Sequence, residues 1–100
     1  MRHAARRDAN DAEITAALRA AGFLVLDFGK AGQGVPDKLV VRGERPWLCW
    51  VEIKTPKGRI RETQKAFKRI FEPRGEYYVA RDAELAVRDL MERYVSNKLS

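Results

Sequence analysis

Two apolar runs flank Arg42-Gly43-Glu44-Arg45-Pro46, and the turn between them constrains this chain more than any other feature. The runs are Asp37 to Val41 and Leu48 to Lys54, each short enough and apolar enough to be a strand. Pairing about a turn centred between Glu44 and Arg45 sets Val41 opposite Leu48, Leu39 opposite Trp50, and Asp37 opposite Glu52. Directly opposed residues share a sheet face, with Cβ atoms roughly 5 Å apart, and like charges so placed repel. Two carboxylates in that position need a cation between them or a shared proton. Lys54 falls on the same face as Glu52, one side-chain period on, about 7 Å away.

The rest of the chain supplies covering elements. Asn10 to Ala21 reads as a helix with Asn10 as N-cap, an Ile14, Ala17, Leu18, Ala21 stripe, and Gly22 after its end. Phe23 to Phe28 reads as a strand, and Gly29 to Gly34 as a flexible loop carrying Lys30 and Gln33. After the hairpin, Thr55 to Arg59 is a turn punctuated by Pro56 and Gly58. A second helix, from Ile60 or Glu62 to Phe71, carries Ile60, Gln64, Phe67 and Phe71 on one stripe. Glu76 to Ala80 is a fourth strand, and Asp82 caps a last helix with Val87, Leu90, Met91 and Tyr94 as its stripe. The expected class is α/β, with order α-β-β-β-α-β-α. The third strand, second helix and fourth strand form a crossover, so the four-stranded sheet is mixed and flanked by helices. Residues 1–100 make a single domain, with 1–7 a candidate basic arm and 96–100 a frayed tail.

Lys and Arg number 20 against 14 acidic residues, for a net charge of +6. A balance of that sign favours a polyanionic partner, and nucleic acid is the commonest. The single cysteine, Cys49, lies in an apolar strand and reads as a buried thiol; it excludes an intramolecular disulfide. One histidine, His3, leaves no basis for a His/Cys zinc site or Ser-His-Asp catalysis. No apolar run approaches the ~20 residues that span a bilayer, and the arginine-rich amino terminus has no apolar core segment. The expected location is therefore the cytoplasm.

On the third strand, Trp50, Glu52 and Lys54 share one face, while Cys49, Val51 and Ile53 share the other and read as core. A Glu-x-Lys alone fits a solvated sheet face. The opposed Asp37, preceded by Pro36, changes that reading to a metal-dependent phosphodiesterase site. Magnesium takes hard oxygen ligands and keeps several waters, so Asp37, Glu52 and the Ile53 carbonyl suffice. Such an ion polarises the scissile phosphate and acidifies the attacking water, and Lys54 orients that water or stabilises the developing charge. Gln64 sits on the stripe that packs against the sheet, where a buried amide must find partners; the alternative is a half-exposed side chain in the first helical turn. Glu13 is open to two readings, a capping box with Asn10 or an outer-shell metal ligand. Lys57, Arg59 and Arg61 follow the site directly and would meet a nucleic acid backbone, with Lys65, Lys30 and Gln33 as further contacts.

Gly34-Val35-Pro36-Asp37, Glu52-Ile53-Lys54-Thr55-Pro56-Lys57-Gly58 and the downstream Gln64 together resemble the VRR-NUC branch of the PD-(D/E)XK nuclease superfamily. The resemblance runs from about Glu13 to Ala80. It implies the restriction-endonuclease-like fold and a Mg2+- or Mn2+-dependent endodeoxyribonuclease. It also implies metal binding by Asp37 and Glu52, catalysis by Lys54, support from Gln64, and a contribution from Glu13. Small stand-alone versions look like phage and bacterial proteins and resemble Holliday junction resolvases. From these follow two expectations: cleavage of branched DNA such as four-way junctions, and a homodimer. The last helix and the aromatics Trp47, Tyr77 and Tyr78 are the surfaces considered for pairing. Two alternatives stand beside this reading: a non-catalytic DNA-binding module of the same fold, and a nuclease subunit targeted by a partner replication or repair protein.

Overall fold

The computed structural model describes residues 10–99, so the basic arm expected over 1–7 lies outside the described residues. Helix α1 spans Asp11–Ala20, followed by strands β1 (Leu24–Asp27), β2 (Lys38–Arg42) and β3 (Trp47–Ile53). Helix α2 (Glu62–Phe71), a single 3-10 turn (Glu72–Arg74), strand β4 (Tyr77–Ala80) and helix α3 (Ala83–Lys98) complete the order. The four strands form one sheet in the order β1-β2-β3-β4, with antiparallel pairs throughout except the parallel β3-β4 pair. This is the mixed, helix-flanked sheet of the restriction-endonuclease-like class.

Hairpin register follows from turn length. Val41 pairs with Leu48, Leu39 with Trp50 and Lys38 with Val51, which leaves Asp37 at the position facing Glu52. On one face, Val40, Cys49, Val51 and Ile53 bury against Ile14 and Leu18 of α1 and Ala86 and Leu90 of α3. On the other face, α2 lies over β3: Trp50 meets Phe67 at 5.1 Å and Phe71 at 6.4 Å between ring centroids, and Phe28 at 5.4 Å. The helix does not cover the whole of that face, and Leu24, Leu26 and Leu48 stay 57%, 40% and 38% exposed.

Some expectations about element ends and exposed aromatics need correction. Asn10 does not cap α1 with its side chain; instead its Nδ2 donates to the carbonyls of Lys54 (2.9 Å) and Arg81 (3.0 Å). The start of α1 is thereby tied to the ends of β3 and β4, and no capping box with Glu13 forms. Helix α3 runs through Ser96 to Lys98, whose amine lies over the Tyr94 ring at 5.8 Å. Trp47 and Tyr77 are buried rather than exposed: Trp47 packs between Phe23 and Tyr94, and Tyr77 shares the α2-covered face with its partner Trp50. Only Tyr78 of that trio is part-exposed; it packs against the core and donates its hydroxyl to Asp89 at 2.7 Å.

Candidate active site

The site grows out of the row one step beyond the last hairpin pair. Pro36 is fully buried and fixes the entry to β2. The Asp37 carbonyl accepts from Phe28 N–H at 2.7 Å, and its carboxylate Oδ2 accepts from Ile53 N–H at 2.9 Å. Asp37 is therefore aimed across the hairpin at the end of β3, where Glu52 stands 2% exposed. Glu52 Oε2 accepts from Gln64 Nε2 at 2.9 Å and lies 3.6 Å from Lys54 Nζ. Lys54 is itself buried, and its main-chain N–H donates to the Ala80 carbonyl of β4 at 3.0 Å.

Gln64 has two partners. Its Oε1 accepts from the Arg61 N–H at 2.8 Å at the start of α2, and its Nε2 holds Glu52. The same side chain thus satisfies an orphan helix donor and orients a carboxylate.

Electrostatics match this crowding. Burial pushes the Glu52 carboxyl up from 4.5 to about 8, and the charge of Asp37 and a hydrogen bond with it push the same way; Lys54 opposes them. Glu52 Oε1 is buried and accepts no hydrogen bond from the described residues.

These groups line a cleft of about 590 Å³. Asp37, Glu52, Ile53, Lys54 and Gln64 all line it. Lys30, Gln33 and Arg61, all expected from the sequence, line it as well. The glycine loop closes against α2 at Gly34, whose φ of +81° and absent Cβ permit a close approach to the Thr63 carbonyl. Lys57, Arg59 and Lys65 are not brought into the cleft: Lys57 and Arg59 are exposed on the turn after Lys54, and Lys65 pairs with Glu62 at 2.9 Å.

Glu13 is also outside, exposed on α1. The acid that α1 sends to the cleft is Asp11. It accepts from Thr15 and pairs with the buried Lys38 at 3.3 Å, which also pairs with Asp27 at 3.3 Å. Sequence reasoning singles out neither Asp11 nor Lys38. A signal exists: Asp11 precedes Ile14 by three residues and Leu18 by seven, which puts it on the inward stripe, while Glu13 is rotated away.

The VRR-NUC domain family matches residues 2–83, most of the chain, and spans every cleft residue above. The protein belongs to the VRR-NUC family. Its fold is accordingly that of a nuclease-type domain, with the cleft between the hairpin and the crossover helix. Among curated proteins, no relative matches the chain. No helix among the described residues of this VRR-NUC domain is long and apolar enough to cross a membrane.

The donor set of this domain can be compared with what a divalent cation needs. Among the described residues no cluster of three or more His, Cys, Asp or Glu side chains converges on one point, so these residues do not form a closed, protein-saturated metal centre. Two mutually repelling carboxylates, one with a buried oxygen that accepts no hydrogen bond, match a hard cation that keeps part of its water shell.

Proposed function

We propose that this VRR-NUC protein hydrolyses DNA phosphodiester bonds with Mg2+ or Mn2+ held by Asp37, Glu52 and the Ile53 carbonyl. One observation carries the reading: a buried Glu52 carboxylate faces Asp37 across a hairpin, keeps Oε1 without a partner among the described residues, and has a lysine amine 3.6 Å from Oε2. A divalent ion there supplies Lewis-acid activation of the phosphodiester. Gln64 holds Glu52 in place from α2. Lys54 presents its ammonium to the cleft, where it stabilises negative charge developing on the reacting phosphate.

Lys30, Gln33 and Arg61 lining the cleft, with Lys57, Arg59 and Lys65 outside, grip the sugar-phosphate backbone without reading sequence. Branched DNA such as a four-way junction is the proposed preferred substrate, cut by a homodimer that presents two clefts to two strands. The bare leucines on the sheet face that α2 leaves uncovered, Leu24, Leu26 and Leu48, are apolar surface that a second copy would cover.

Cleavage of a supercoiled plasmid or a synthetic four-way junction with Mg2+, and of neither with EDTA, is the expected result for the wild-type protein. Binding without metal-dependent product would leave a DNA-binding module and end the hydrolytic reading. Substrate choice is read by comparing a four-way junction with linear duplex, flap and single strand. Paired symmetric nicks confined to the junction support the resolvase form; equal cutting of all four leaves a general nuclease.

A further inference from the structure

The backbone that carries Lys54 and the cations after it is held from outside the cleft. Asn10 Nδ2 donates to the Lys54 carbonyl at 2.9 Å and to the Arg81 carbonyl at 3.0 Å. Arg81 Nη1 in turn donates to the carbonyls of Thr55 (2.8 Å) and Gly58 (2.6 Å), with that of Pro56 at 3.5 Å. Thr55 to Gly58 belongs to no helix or strand, and its own internal tie is the Gly58 N–H to Thr55 carbonyl bond at 3.0 Å. Among the described residues this guanidinium is aimed at main-chain carbonyls of the turn. It fastens a loop.

We infer that Arg81 and Asn10 are positioning residues: Arg81 freezes the turn bearing Lys57 and Arg59, and Asn10 fixes the Lys54 main chain at the edge of the cleft. The inference rests on the nuclease reading for its kinetic consequence, but not for its structural one. An exposed loop loses conformational entropy when it binds a phosphate backbone, and a loop already held loses less. Arg81 therefore acts on DNA affinity. Asn10 acts closer to the reacting atoms, since a shift of the Lys54 main chain moves the amine away from Glu52.

Arg81→Ala leaves the carbonyls of Thr55 and Gly58 free to turn to water, so the fold survives the test. Trypsin cuts after Lys57 and Arg59, and its rate there reads the turn directly. Arg81→Ala should speed cleavage at these two bonds about tenfold, the factor expected for losing one or two net hydrogen bonds. Arg81→Lys, which can still reach one carbonyl, should recover part of the protection. In EDTA, the affinity of Arg81→Ala for a fluorescent duplex should fall severalfold. In Mg2+, its KM should rise with kcat little changed, while Asn10→Ala lowers kcat. Tryptic rates equal to wild type would overturn the role of Arg81. The same loss of kcat/KM in both variants, with no split between kcat and KM and tracking a lowered Tm, would reduce both residues to general scaffolding. If wild-type protein cuts no DNA, the hydrolytic reading fails, and the tryptic and EDTA measurements still decide this one.

Discussion

Gln64 donates its amide to Glu52 Oε2 at 2.9 Å while accepting the Arg61 N–H at 2.8 Å, so the side chain that caps the start of α2 also orients the carboxylate. Helix start and active-site geometry are a single hydrogen-bond chain. Gln64→Ala should cost about 1–2 kcal/mol of stability from the missing cap and bond. Cleavage should fall at least about tenfold, the usual effect of removing a partner that orients a metal ligand. Urea melts together with plasmid nicking measure both; full activity in Gln64→Ala would detach α2 from the site.

Asp37 separates charge from hydrogen bonding. Asp37→Asn keeps an acceptor for the Ile53 N–H and removes the repulsion with Glu52, so in EDTA at alkaline pH, with Glu52 ionised, it should melt above wild type. Asp37→Ala removes the repulsion too, but strands that N–H, and should be less stable than Asp37→Asn by about 1–3 kcal/mol. Both should be inactive. An Asp37→Ala variant that melts at or above Asp37→Asn would show that the Ile53 bond contributes nothing.

Stability of the metal-free protein should depend on pH through Glu52. Its carboxyl binds a proton more tightly folded, at about 8, than at its ordinary value of 4.5. The resulting stabilisation is complete below about 4.5, falls as pH rises through that window, and is gone above about 8. Differential scanning calorimetry of wild type against Glu52→Gln should show the Tm of wild type declining relative to the variant across the window. Saturating Mg2+ should flatten the decline, because a cation favours the ionised pair. A wild-type Tm that gains on the variant as pH rises in EDTA would contradict the sign.

Binding to duplex DNA should weaken with salt, since the interactions proposed are with phosphate. Replacing Lys57 and Arg59 by alanine should reduce the slope of log affinity against log salt by about 2, near 0.9 for each phosphate no longer neutralised. Fluorescence anisotropy in EDTA from low to moderate salt provides the measurement. An unchanged slope would mean that the exposed turn does not touch the backbone.

Gly34 is the least replaceable residue of the loop. Its φ is +81°, and an added Cβ would strike the Thr63 main chain, which cannot give way as a flexible side chain would. Gly34→Ala should destabilise by more than the ~1 kcal/mol of a conformational penalty alone, and should open the cleft wall. A Tm within about a degree of wild type would contradict the close approach of loop and helix.

Much of the site is readable without coordinates. The Asp37–Glu52 opposition needs only a short turn and period-two alternation, and both are local, so arithmetic on residue numbers finds it. Gln64 is legible as an amide on an otherwise apolar stripe, although its bond to the Arg61 N–H is not. Cys49 is legible as a buried thiol, and burial does push it up to about 11. Short-range rules mislead at element ends. Asn10 has the composition of a cap, yet the carbonyls it meets come from residues 44 and 71 positions away.

Pattern and turn chemistry alone determined the element order, the hairpin register and the pairing of two acids with a lysine, because those depend on neighbours in sequence. Docking decided the rest: that Asp11 rather than Glu13 faces the cleft, that Lys38 is buried between two aspartates, and that Arg81 grips the turn after Lys54. Each of these depends on which way a helix rolls as it settles on the sheet, or on which strand end meets which loop. Such outcomes are set by packing the whole core at once, and no window of the chain contains them.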